Sequence, residues 1–353
     1  MKRSIILILL LWTAVLVKLP AQVKYSNEFL SIGAGARLMG MGGAGTALVD
    51  DVTAGYWNPS RLNQIDGRMD FGLMHSEYFA GLAKYDYAGA AFRVDPESVI
   101  GISFVRFGVD DIPNTLELID EEGNVRYDRI QNFSAADMGL IFSYSRLSPV
   151  PGLVLGGNAK LIYRHTGDFA SAWGFGLDAS ASYALGKWHF AAVARDVSGT
   201  FNVWAFKEDK LRDAFELTGN EMPENSLEVT VPRLILAVAR DFKIGEHFRL
   251  APALDLHLTF DGRRHVFLPI GPVGIDPYVG GEFRYRNWLV ARVGVGNFQW
   301  VPGFNGKNDL NLQPTIGLGI QYRNFFLDYA LTDVGDLSLG QYSNLISVRY
   351  LLN

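Results

Sequence analysis

"AWGFGLDASASY", residues 172–183, alternates with a period of two. Trp173, Phe175, Leu177, Ala179, Ala181 and Tyr183 fall on one side, and Gly174, Gly176, Asp178, Ser180 and Ser182 on the other. Side chains along a β-strand point alternately to its two faces, so the segment predicts a strand that is apolar on one face and small or polar on the opposite one. Its apolar face carries an aromatic near each end. A dry soluble core would favour branched aliphatics there, whereas a lipid-facing strand carries an apolar band bordered by aromatic girdles.

Working outward, the pattern recurs. In "FFLDYAL" (325–331), Phe325, Leu327, Tyr329 and Leu331 oppose Phe326, Asp328 and Ala330. In "TIGLGIQY" (315–322), Ile316, Leu318, Ile320 and Tyr322 oppose Gly317, Gly319 and Gln321. "LVARVGV" (289–295) sets Arg292 among valines, which is costly against lipid but tolerable in a polar interior. Turn signals divide the chain into segments at roughly 68–78, 82–95, 97–107, 133–147, 152–166, 170–184, 186–196, 226–242, 246–261, 275–287, 288–297, 311–322, 323–334 and 340–352. Fourteen is an even number, and each segment is long enough for the ~9–11 residues of a membrane strand.

The connections sort by parity. Those at 95–98, 148–152, 185–187, 243–247, 285–288 and 322–324 are tight. Long ones, at 108–132, 197–225, 262–274 and 298–310, alternate with them, and 334–340 is intermediate. Short periplasmic turns alternating with longer outward loops are what an outer-membrane barrel requires, and a soluble sandwich has no reason to sort its loops this way. The expectation is therefore an all-β, fourteen-stranded antiparallel transmembrane barrel over 66–353. Closure pairs every backbone group, which lipid demands.

At the amino terminus, Lys2 and Arg3 precede an aliphatic run from Ile5 to Val17, and Leu19-Pro20-Ala21 supplies a small residue before Gln22. This is the layout of a secretory leader, 1–21, cleaved after Ala21; the run is short of the ~20 residues of a spanning helix. With no cysteine in the chain, there is neither a disulfide nor a thiol to carry a lipid. There are 32 basic against 37 acidic residues, three of the basic ones lie in the leader, and no basic run appears, so nucleic acid is excluded as a partner. The six histidines are scattered, with no metal-ligand spacing. His189 and His257 are the mid-strand histidines, and His189 shares a face with Ala191, Val193 and Arg195 but no hydroxyl. No catalytic, cofactor or metal site is expected.

The segment 22–65 lacks strand alternation. Gly40, Gly42 and Gly45 match G-x-G-x-x-G, but a dinucleotide site needs a strand before the glycines and a sustained helix after them. "SIGAGARL" is too glycine-rich for the first, and Asn58-Pro59 stops the second. Glycines and alanines also let backbone approach backbone, which suits a compact plug with short helices inside a barrel too wide for side chains to fill. Arg37 and Asp50-Asp51 are placed to bond to the barrel wall.

"GARLMGMGGAGTALVDDVTAGYWNPSRL" (35–62) resembles the amino-terminal signature of the FadL-like outer-membrane superfamily. Gly35, Ala36 and Arg37 match its first block, and Gly40, Met41, Gly42, Gly43 and Ala44 its second. Asp50, Asp51, Trp57, Asn58, Pro59 and Leu62 complete it, while Ser60 stands where alanine is usual. The preceding "NEFLSIGAGAR" (27–37) is most similar to the PorV/PorQ branch, associated with type IX secretion in Bacteroidota-type bacteria.

That resemblance implies a Gram-negative outer-membrane barrel that binds secreted cargo proteins or a large translocon through its outward loops. In "SGTFNVWAFKEDKLRDAFELTGNEMPENS" (198–226), Phe201, Val203, Trp204, Phe206, Leu211, Phe215 and Leu217 are the candidate contacts, with 204, 211 and 215 spaced for a short amphipathic helix. The alternative is a FadL-like transporter of hydrophobic small molecules such as long-chain fatty acids. In that case the same loop forms an outer ligand groove and the plug acts as a hatch.

Overall fold

The computed structural model describes residues 26–120, 123–218, 221, 226–260, 266–286, 288–302, 308–332 and 343–353; the leader and residues 22–25 lie outside the described residues. The chain forms one closed antiparallel sheet of fourteen strands. These are β1 (Met69–Tyr78), β2 (Ala83–Arg93), β3 (Ser98–Asn114), β4 (Gln131–Leu147), β5 (Leu153–Thr166) and β6 (Ala170–Leu185). Then come β7, in two parts (Trp188–Arg195 and Thr200–Phe206), and β8, in three (Leu227–Thr230, Arg233–Arg240 and Phe242–Ile244). The circuit is completed by β9 (Phe248–Thr259), β10 (Val273–Tyr285), β11 (Leu289–Pro302), β12 (Asn308–Tyr322), β13 (Phe325–Thr332) and β14 (Ser343–Leu352). β14 closes on β1 in a register that runs from Met69↔Leu352 to Glu77↔Asn344.

Alternation sorts the two faces as the sequence predicts. On β6, Trp173 and Phe175 face outward while Asp178, Ser180 and Ser182 are buried within. On β12, Ile316, Leu318 and Ile320 are exposed outside. No helix among the described residues is long and apolar enough to cross a membrane. Turn chemistry fixes one rim: β6 and β7 join through two residues, with Gly186 at φ 61, the left-handed conformation that such a tight hairpin needs.

Several strands run further at the opposite rim than their sequence pattern suggests. β3 continues to Asn114 through a register shift between Val109 and Ile112, and β11 to Pro302 through one between Gly296 and Gln299. A bulge inserts extra residues and reverses the inside–outside phase, so a period-two reading stops there. β7 is the largest case. Its first part pairs Ala194 with Ala179 of β6 and its second pairs Phe201 with Phe175, which leaves residues 195–200 opposite 176–178.

This corrects one sequence expectation. Phe201, Val203, Trp204 and Phe206 lie on β7 and not in a loop, with Phe201 and Val203 outward and Asn202 fully buried. Leu211 and Phe215 do lie on a short helix, α3 (Glu208–Thr218), without Trp204; the Leu217 side chain falls outside the described residues.

Candidate functional site

The lumen is filled from the amino terminus. Between residues 26 and 65 the chain makes two α-helical turns, α1 (Ala36–Met39) and α2 (Ala54–Trp57), and 3-10 turns at Glu28–Ser31 and Pro59–Gln64. Almost all of it is buried: Ala34, Ala36, Leu38, Met41, Ala44, Val49, Val52 and Leu62 have at most 1% of their surface exposed. Its glycines serve two backbone needs. Gly35, Gly42, Gly43 and Gly45 adopt positive φ, which lets the chain change direction sharply between its short turns. Gly40 meets Gly317 of β12 so closely that a Cβ on either would lie about 3 Å from the other's Cα. Gly42 lies against Val295, and Met41 against Gly280 and Gly294, in the same way. In the G-x-G-x-x-G match, Gly40 and Gly42 are therefore backbone packed on backbone, and Gly45 supplies a positive φ.

Charge fastens this plug to the wall. Arg37 donates to Glu282 of β10 at 3.0 Å and to Asp51 at 3.2 Å, and it also pairs with Asp50. Glu282 in turn accepts from Arg292 at 2.8 Å and Arg284 at 2.9 Å, and Arg292 donates to Asp328 at 2.6 Å. On the other side, Arg349 of β14 lies 3.6 Å from Asp51 and 3.2 Å from Asp70 of β1. The mid-strand Arg292 thus faces a polar interior, as its setting among valines requires. Burying such charges is tolerable only where each has partners, and the network supplies them from five strands.

Further hydrogen bonds complete the join. The Gly45 and Thr46 amides donate to the Asp255 carboxylate of β9 at 3.2 and 2.9 Å. Asn58 donates to Ser182 and to the Thr46 carbonyl, and the Ser60 amide donates to Ser180. The Trp57 indole donates to the Ala34 carbonyl at 2.6 Å, and Arg195 donates to the Leu30 and Tyr56 carbonyls while lying over the Tyr56 ring. The Ala36 amide donates to Ser347, and the Gly35 amide to the Met74 sulfur. Pro59 opens the 3-10 turn against Gly156, and Leu62 packs beside Gly101. The signature residues are therefore gathered into one plug–wall interface. Sequence reading missed their wall partners Glu282, Asp255 and Arg349, whose signal is a charge at an inward position of an alternating strand.

At the β7 interruption, Lys160 of β5 donates to Asp178 at 2.7 Å and pairs with Asp196, which also accepts from Thr200. Asp196 sits at φ 56, where the strand departs from extended backbone, and its carboxylate is held by Lys160 and Thr200.

Over the plug, on the long-loop side, the lumen keeps a chamber of about 480 Å³. Ile32, Met39, Gly43 and Trp57 form its floor, and Tyr78, Phe107, His257 and Tyr278 part of its wall. Phe79, 62% exposed in the β1–β2 turn, brings the chamber to the rim. The His257 and Tyr278 rings lie against each other with centroids 4.3 Å apart and planes tilted by 35°.

No protein-family model matches the chain, and no curated protein does. Solved structures do. The toluene transporter TodX of Pseudomonas putida superimposes with a TM-score of 0.57 at 13% identity, over 91% of this chain and 99% of that one. The Ralstonia pickettii toluene transporter TbuX gives 0.56 at 13% over 91% and 99%, and a Pseudomonas aeruginosa FadL homologue 0.53 at 12% over 91% and 98%. At such identities the likeness speaks to fold alone: the chain is a closed, plugged, fourteen-stranded barrel with the architecture of those structures.

Proposed function

We propose that the protein is an outer-membrane transporter of small hydrophobic molecules. In this reading residues 1–21 are removed on export, 22–65 form the plug and 66–353 span the bilayer. The observation that carries it is the aromatic-walled chamber above a plug that closes the rest of the lumen. It is the kind of concave, largely apolar, pre-formed space in which small molecules bind. The similarity in fold to the toluene transporters TodX and TbuX supports the same reading. The test is uptake of a labelled hydrophobic probe into proteoliposomes. Uptake above empty liposomes, lost when the chamber is filled by Thr315→Trp, is the expected result; equal uptake by both would overturn it.

A second reading rests on the resemblance of residues 27–62 to the PorV/PorQ branch: an accessory of type IX secretion that holds cargo or a translocon. Copurification from detergent-solubilised outer membrane separates the two. A large protein partner at fixed ratio supports secretion, and a bound small molecule without one supports transport.

A further inference from the structure

Arg240 stands where the alternation of β8 calls for an apolar residue. Leu236, Val238 and Phe242 share its outward face, while Ala237 and Ala239 are buried against the plug. Its guanidinium lies 4.8 Å from the centre of the Trp188 ring and 4.6 Å from that of Phe242, both exposed at the tight-turn rim. Asp241, one residue on, pairs instead with His189 at 2.8 Å, and among the described residues no carboxylate pairs with Arg240. The outward cations nearer the opposite rim differ: Lys84 and Arg106 bond Asp110 at 3.4 and 3.2 Å. A cation among lipid-facing side chains is costly unless a counter-charge meets it, so Arg240 calls for an anion from outside the chain.

What lies beside it narrows the choice. Arg240 pairs with Trp188 in the sheet, and one outward step further from the rim Val238 pairs with Phe190. That pair opens an apolar groove of about 440 Å³ on the outer wall, lined also by Tyr183, Ala192, Leu236 and Leu254. Lys187, Lys243 and Arg249 are exposed at the same rim, against Asp241 and Glu246, so the neighbourhood carries an excess of positive charge. Short turns mark the periplasmic side of such a barrel, and girdle aromatics lie at headgroup level.

We propose that the outer wall of β6–β9 holds one anionic glycerophospholipid of the periplasmic-side leaflet, with its phosphate on Arg240 and an acyl chain in the groove. A guanidinium suits the first contact, because it is weakly hydrated, stays charged over aromatic faces and meets phosphate with paired donors. The surrounding cations favour a headgroup with net negative charge. This site is separate from the luminal chamber, and it rests on the reading of 66–353 as the span of the bilayer.

Native mass spectrometry of the full-length protein released from detergent micelles tests it with three dioleoyl lipids: phosphatidylglycerol, phosphatidylethanolamine and diacylglycerol. Phosphatidylglycerol should bind about tenfold tighter than diacylglycerol, as expected for one charge-assisted contact, with phosphatidylethanolamine between them. Arg240→Gln should bring phosphatidylglycerol down to diacylglycerol, and Arg240→Lys should restore part of the difference. Ala192→Phe, which fills the groove, should weaken all three. Arg323→Gln removes a rim arginine that lies over Tyr322, away from the groove, and should change nothing. Heat-modifiable mobility confirms that each variant is folded. Equal binding of the two phospholipids overturns the anionic headgroup, and equal losses at Arg240 and Arg323 overturn the single site in favour of diffuse attraction to the rim. A protein that floats with liposomes yet binds phosphatidylglycerol no better than diacylglycerol overturns the site and leaves the membrane reading intact. One that does not float with liposomes overturns both.

Discussion

Gly294 on β11 and Met41 in the plug touch backbone to backbone: a Cβ built on Gly294 would lie 2.0 Å from the Met41 carbonyl carbon. Neither side chain nor solvent intervenes, so this contact sets how deeply the plug sits. Gly294→Ala must therefore displace either the plug or the strand. Overpacking of this kind costs about 1–3 kcal/mol, and more when backbone has to move. Gly281→Ala is the control, because its Cβ would meet nothing within 4 Å. Urea unfolding in liposomes should show the first variant destabilised and the second unchanged.

Among the described residues, Arg37 is the one plug cation bonded to both the plug's own carboxylates and the wall. Its removal takes the ion-pair partner from Asp50, whose side chain is 44% exposed, and weakens the hold on Glu282, which keeps Arg292 and Arg284. Breaking a buried pair costs about 3–5 kcal/mol when nothing compensates, so Arg37→Met should fall at or below the lower end of that range. Arg37→Lys should recover only part, since one ammonium cannot reproduce separate Nε and Nη donors to opposite sides. A double-mutant cycle with Glu282→Gln should return a coupling above about 0.5 kcal/mol; additive effects would show that the pair does not hold the plug.

How much of this was legible varies with the physics of each part. The strands were readable where one face meets lipid and the other the plug, as on β6, since the two environments impose opposite residue types at alternate positions. Legibility failed at the bulges. "TFNVWAF" alternates well, but Asp196–Gly199 shift its phase and give it the look of a loop. In the plug, the glycine run could be read as close packing because no helix or strand fits it. Its wall partners could not: Gly280, Gly294 and Gln321 sit alike at small or polar strand positions, and only the folded register shows which of them backbone approaches.

The outward face of β12 should behave as a lipid contact whose strength depends on depth. Leu318 lies mid-strand and Tyr322 at its tight-turn end, and both are more than half exposed. An arginine facing the middle of a bilayer costs about 2–4 kcal/mol, against about 0–1 near its edge. Leu318→Arg should therefore destabilise the protein in liposomes several times as much as Tyr322→Arg. Equal effects would argue that this face does not meet hydrocarbon.

The plug's seal can be tested by removing it. A barrel of fourteen strands is wider than wall side chains can fill, so deletion of residues 26–62 leaves a water-filled lumen. Planar-bilayer recording should show steady ion conductance for the deletion and none for the full-length protein, with heat-modifiable mobility on gels confirming that both barrels have folded. Since the plug also buries wall charges, the deletion is paired with the milder Arg37→Ala, Asp255→Ala variant. That variant removes the Glu282 bridge and the carboxylate that receives the Gly45 and Thr46 amides. Transient openings are expected there, because the remaining contacts hold the plug but with two of its anchors gone. A folded deletion barrel that stays sealed would show that the wall itself closes the pore.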